Sequence, residues 1–157
     1  MKNLKSWLVE YSEHHADPHN RALHRLCVPA TVFALCCAFR AIPVGDALWN
    51  PASLALLGWL AFYLCLSWQL ALGMLMLFSV MYSAALLLET AIGGALPLFA
   101  ALLFAAAGAA QYLGHRREKK QPSLLRHLRL FLIAPLWQLA DFYRHMQIPV
   151  GGLASSR

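Results

Sequence analysis

From Ala52 to Leu88 the chain carries no charged side chain. As one helix rising 1.5 Å per residue, that stretch would be roughly 55 Å long, well beyond the ~30 Å hydrocarbon core of a bilayer. It must therefore fold back on itself as two apolar helices. The expected turn is near Trp68-Gln69, where an interfacial aromatic adjoins a strongly polar side chain.

The rest of the composition agrees with a membrane solvent. Hydrophobic residues make up 60% of the 157 and charged residues 13%, against the roughly 45–50% apolar content of soluble domains. The formal net charge of +6 does not point to nucleic acid, because the cations flank apolar runs instead of forming an aromatic-interleaved basic face. Cys27, Cys36, Cys37 and Cys65 sit within apolar segments without metal-binding or redox spacing and read as small core residues. Lys2 and Lys5 are followed by Glu10 and Glu13, not by the apolar core of a secretory signal.

The fold expected is all-α: a four-span transmembrane helical bundle with an N-terminal amphipathic helix and a C-terminal interfacial or re-entrant helix. The whole chain, 1–157, reads as a single integral membrane domain, with spans at about 24–40, 52–68, 70–88 and 95–114 and interfacial helices at about 2–15 and 127–143. At the N-terminus Leu4, Trp7, Leu8 and Tyr11 follow the i, i+3, i+4, i+7 spacing of one helix face, and His15 extends that stripe. Asp17-Pro18 is a helix start, since aspartate caps free N–H groups and proline is tolerated in the first turn. The helix it opens carries Asn20 and His24 on one face and Pro29 as a possible kink. Arg40 to Pro51 reads as a loop, and Glu89 to Pro97 as a turn with Glu89 a loop residue.

Four spans return both termini to one side. Lys2, Lys5, Arg21 and Arg25 precede the first span, and Arg116, Arg117, Lys119, Lys120, Arg126 and Arg129 follow the last, so the positive-inside rule makes that side cytoplasmic. Such a protein belongs in a bacterial inner membrane, or in the endoplasmic reticulum of a eukaryote. All seven histidines lie on this same side.

Neutral imidazole ligates Fe, Zn, Cu and Ni, and oxygen-activating non-haem iron commonly takes two histidines and a carboxylate. His15 on the apolar stripe, His24 at the mouth of the first span and His115 at the end of the fourth can meet at one depth, with Glu118 a turn further on. The competing reading makes them solvated residues near headgroups, or simple complements to helix C-termini. The cations at 116, 117, 119 and 120 likewise either contact anionic headgroups or hold a substrate carboxylate. Asp141 faces either the site or water.

Two motifs carry a resemblance. HADPHNRALHRLCVP near the N-terminus places His15, Asn20, His24 and Pro29 in order, and QYLGHRREKKQPSLLRHL followed by LFLIAPLW supplies a Gly-His, a nearby Glu-Lys and an Ala-Pro before an apolar helix. In these the chain resembles the family of small multi-pass membrane proteins that includes the fungal 2-hydroxy fatty acid dioxygenase of phytosphingosine degradation and many bacterial relatives. The resemblance implies Fe(II)-dependent α-oxidation, in which O₂ and a 2-hydroxy fatty acid give a fatty acid one carbon shorter. It selects His15, His24 and His115 as iron ligands and Asn20 and Glu118 as supporting positions. Here the interval from His115 to Glu118 is one residue shorter than in the fungal form. Arg116 or Lys119 would orient the substrate carboxylate. The implied partners are a fatty-acid substrate, molecular oxygen and the bilayer, with no nucleic acid. The rival expectations are a non-enzymatic lipid-binding or scaffold protein and a different histidine–metal lipid oxidase.

Overall fold

A computed structural model of the chain describes residues 3–13, 17–116 and 124–150, with the side chains of the last stretch described from 129 onward. Among the described residues there are six α-helices: α1 (Leu4–Glu13), α2 (Pro18–Arg40), α3 (Pro51–Leu64), α4 (Trp68–Ile92), α5 (Leu96–His115) and α6 (Leu124–His145). A 3₁₀ turn over Gly93–Ala95 joins α4 to α5, and there is no β-strand among the described residues. The all-α class follows directly.

Capping sets most of the helix boundaries. Asp17 Oδ1 accepts from the N–H groups of His19 and Asn20, each at 2.9 Å, and Pro18 opens α2 as expected. Asn50 caps α3 by a reciprocal exchange with Ser53, with Pro51 in the first turn. The turn between α3 and α4 comes at Cys65 to Ser67, earlier than Trp68-Gln69, because Ser67 is the cap of α4 and its hydroxyl donates to Gln69 Oε1 at 3.0 Å. Cys65, at the end of α3, is exposed rather than part of a core, whereas Cys36 and Cys37 are buried.

Glu89 is also displaced from its expected place. It lies within α4, not in a loop, and Arg40 Nε donates to its carboxylate at 2.6 Å. That pair ties the end of α2 to the last turns of α4 and lets the helix run on to Ile92 before it turns.

The helices alternate in direction. The end of α2 meets the end of α4 through Arg40 and Glu89, and Asn50 before α3 donates to Tyr82 of α4. The start of α2 meets the end of α5, and Gly73 near the start of α4 meets Tyr143 of α6. One end of the bundle thus gathers α1, α6, the start of α2 and the end of α5. The core at that end is large and aromatic, with Tyr63, Phe78, Ile133, Leu136 and Trp137 buried beside Val28 and Val32. At the far end the core is built of small residues, Cys36, Cys37, Ala52, Ala85 and Ala100, which let helix backbones approach closely.

Outward, the helices remain apolar. Leu54, Leu57, Leu75, Met76, Val80, Leu87, Leu98, Leu102 and Phe104 are exposed, a pattern that marks contact with a membrane or a partner rather than water. Two stretches, Pro18–Arg40 and Trp68–His115, are long and apolar enough to cross a membrane. In the second, 28% of the most apolar window is buried in the protein, so its apolar side chains are not spent on an internal core. With 14 residues, α3 measures roughly 21 Å, less than the ~30 Å of hydrocarbon.

Candidate functional site

The site is built where α2 begins and α5 ends. Once Asp17 has started α2, Asn20 and His24 fall one turn apart on the same face, and both are buried, at 0% and 4% exposure. Burying two such polar side chains is costly unless other groups answer them. What lies opposite is the last turn of α5.

Gly114 makes that approach possible. A Cβ at this position would stand 2.3 Å from Asn20 Oδ1 and 3.3 Å from Leu23 Cδ1, so any other residue there requires the buried Asn20 side chain or α2 to shift. The next residue, His115, faces His24 with ring centroids 4.8 Å apart and planes inclined by 68°. Further along the same two helices, Gln111 Nε2 donates to Thr31 Oγ1 at 2.8 Å, and Thr31 donates in turn to the Cys27 carbonyl at 2.7 Å. This cross-link fixes the rotational setting of α5 against α2 within a turn of the histidine.

Helix α6 closes the side. Gln138 Nε2 donates to the His24 carbonyl at 2.6 Å, beside the carbonyl of Arg25 that loses its helical N–H partner to Pro29. Trp137 is buried. Its indole N–H donates to Ser12 Oγ at 2.9 Å, its ring lies 5.0 Å from Tyr11, and the Arg21 guanidinium sits 5.7 Å above it. Tyr11, Leu4 and Leu8 are the buried face of α1, so the apolar stripe expected there packs on α6. Asp141 has its own partners, Arg25 at 3.0 Å and Arg144 at 3.1 Å. It forms part of the rim and is neither turned into the site nor left to water alone.

Of the residues expected at the site, the fold brings together Asn20, His24 and His115. Arg116 caps α5 and is exposed. His15, Glu118 and Lys119 lie outside the described residues. Among the described residues no three His, Cys, Asp or Glu side chains are grouped so as to hold an ion. Sequence reasoning missed Gln138, Trp137 and the Gln111–Thr31 pair. The signal available was that each is a polar or half-polar side chain within an otherwise apolar helix, which a buried face must satisfy.

The imidazole pair suits a transition metal. The centroid distance of 4.8 Å with planes at 68° is that of an ordinary edge-to-face ring contact, and it is also compatible with two imidazoles on one ion. The donors on offer there are imidazole nitrogens with a neighbouring amide. Such a site favours Fe, Zn, Cu or Ni over the oxygen-seeking Ca and Mg.

A family model described as 2-hydroxy-palmitic acid dioxygenase Mpo1-like matches residues 1–146. No curated protein and no solved structure matches the chain. The resemblance carried by the two histidine motifs therefore holds, and the chain belongs to the Mpo1-like family.

Proposed function

We propose that this member of the family is a membrane-embedded, Fe(II)-dependent dioxygenase that shortens 2-hydroxy fatty acids by one carbon. The observation that carries the reading is the facing pair His24 and His115, held at 4.8 Å by two helices in a chain of a dioxygenase family. In this reading α2, α3, α4 and α5 are four spans, both termini are cytoplasmic, and the site sits at the cytoplasmic membrane surface.

The overall reaction balances without a further reductant. A 2-hydroxy acid and O₂ give the shortened acid, CO₂ and water, because the two carbons oxidised together release the four electrons that O₂ takes up. An NAD(P)H-linked partner is therefore unnecessary. Bound iron would polarise the hydroxy acid and activate oxygen.

The protein's own residues do the rest. His24 and His115 offer neutral ring nitrogens, and His15 is the third ligand in this reading. The Asn20 amide, which lies against Gly114, would hydrogen-bond a group bound beside the histidines, and Glu118 would support the ligand set. Gln138, by holding the His24 carbonyl, fixes the backbone from which that ring projects. Arg116 or Lys119 orients the carboxylate, for which a guanidinium offers two parallel N–H donors and an ammonium a point charge.

The test is anaerobic purification followed by iron analysis and an assay for O₂-dependent shortening of a 2-hydroxy acid. Iron bound in the wild type and lost in His24→Ala and His115→Ala, with activity lost in parallel, supports the proposal. Background iron and no turnover in the wild type overturn it in favour of a lipid-binding role without catalysis, and undiminished turnover in the variants overturns the assignment of His24 and His115 as ligands.

A further inference from the structure

Helix α6 carries a proline in its interior, Pro135. It denies the Phe131 carbonyl its helical N–H and loosens the turn before it. In apolar surroundings such a turn is answered by side chains of neighbouring helices. Here α3 supplies them. Trp59 Nε1 and Tyr63 Oη both donate to the Leu132 carbonyl, at 3.0 and 2.7 Å. A carbonyl oxygen has two lone pairs, so two side-chain donors can fill it. Both rings are held in turn: Tyr63 is fully buried and lies 6.3 Å from Phe78, and Trp59 packs 5.7 Å from Phe131 and 5.8 Å from Phe78.

Beyond the proline, the same helix meets the start of α2. Gln138 holds the His24 carbonyl at 2.6 Å, Asp141 pairs with Arg25 at 3.0 Å, and the Arg21 guanidinium lies over Trp137. All three contacts fall within residues 21–25 of α2, the stretch that bears the histidine. From Leu132 to Gln138 is roughly 9 Å along a helix. A helix swings most readily where a proline weakens its ladder, and it is there that the α3 donors take hold. His115 is placed by other means, since Gln111 and Thr31 tie α5 to α2 further along. A shift at the start of α2 therefore moves one ring against the other.

We infer that Tyr63 and Trp59 are positioning residues for the histidine pair. By clasping the Leu132 carbonyl they set the direction in which α6 leaves Pro135. Through Gln138 and Asp141 that direction fixes the first turns of α2, from which His24 faces His115. For the purpose of the pair this rests on the dioxygenase reading, and for the linkage it rests on the contacts alone.

Tyr63→Phe keeps the ring and removes its donor. Hydrogen exchange on the full chain in phosphatidylcholine nanodiscs reads the linkage without any metal. Amides of residues 21–25 should exchange about fivefold faster, the equivalent of one hydrogen bond of ~1 kcal/mol. Those of residues 74–78, in the α4 turn that ends on the same ring, should not change. Cobalt(II), followed by its visible bands, reads the imidazole pair itself. Its Kd should rise about tenfold in Tyr63→Phe and stay unchanged in Tyr82→Phe, which loses a hydroxyl donor to the Ala47 carbonyl at the far end. Should Tyr63→Phe not fold, Trp59→Phe removes the other donor, and the same pattern is expected at smaller amplitude. Unchanged exchange at 21–25, or equal rises at 21–25 and 74–78, would overturn the linkage and leave the dioxygenase reading standing. Linked exchange with an unchanged cobalt Kd would overturn the positioning role. Linked exchange in a wild type that binds no cobalt would keep the clasp and remove the metal from the reading.

Discussion

The two ends of the bundle use polar residues in opposite ways. At the far end, Asp46 accepts from the N–H groups of Leu48 and Trp49, Asn50 caps α3, Tyr82 donates to the Ala47 carbonyl, and Arg40 pairs with Glu89. Every one of these closes a loop or a helix end, and folding alone accounts for them. At the histidine end, Asp17 does the capping, yet Asn20 and His24 are buried on a helix face beyond it, with His115 brought up against them. Polarity there exceeds what capping requires. Such a local excess over the needs of the fold is where function is expected.

The contrast can be broken most directly at the histidines. In the dioxygenase reading, His24→Ala or His115→Ala should each cut iron content and shortening activity by ~100-fold or more, since even residues outside a ligand set cost 10–100-fold, while circular dichroism stays helical. Gly114→Ala comes next. The added methyl meets Asn20 Oδ1 at 2.3 Å, and relieving such overpacking costs about 1–3 kcal/mol. Thermal unfolding should fall by several degrees, and in the dioxygenase reading bound iron should fall with it, because Asn20 lies on the same face of α2 as His24.

Asn50→Ala sharpens the comparison from the other side. Losing the cap should cost about 1 kcal/mol, read as a lower Tm, with iron per protein unchanged. Equal destabilisation at the two ends would then have unequal chemical consequences. The smallest effect is expected at Asp46, where the N–H groups of Trp49 and Leu48, helped by Arg40, hold the carboxyl below its usual range. Its folded pKa is depressed, so its contribution is complete above the ordinary carboxylate pKa of about 3.9. That contribution is lost as pH falls through the lower folded value. Asp46→Asn should flatten this part of the acid-unfolding curve, measured by tryptophan fluorescence, and leave the neutral-pH site intact.

Local signals were legible wherever the physics was local. Asp17-Pro18 announced α2, the i, i+4 spacing of Asn20 and His24 placed them on one face, and the alternation of apolar helices carried His115 back to them. What escaped was long-range. Glu89 looked like a turn residue beside Gly93 and Gly94, and only its bond to Arg40, 49 positions away, shows why the helix continues through it. The α3–α4 turn was misplaced by a few residues because a serine cap is a quieter signal than a tryptophan. Gln138 carried no visible purpose until α6 lay beside α2, since a single amide in an apolar helix does not announce its acceptor.

The facing rings have a consequence for how the protein is made. His24 stands near the start of the first long helix and His115 at the end of the last one before α6, so a growing chain possesses the first ring long before the second. In the proposed reading no partial chain holds the imidazole pair, and an ion cannot be captured by these two residues until α5 has been synthesised and laid against α2. Metal acquisition then follows completion of the bundle, and it reports that the bundle has closed.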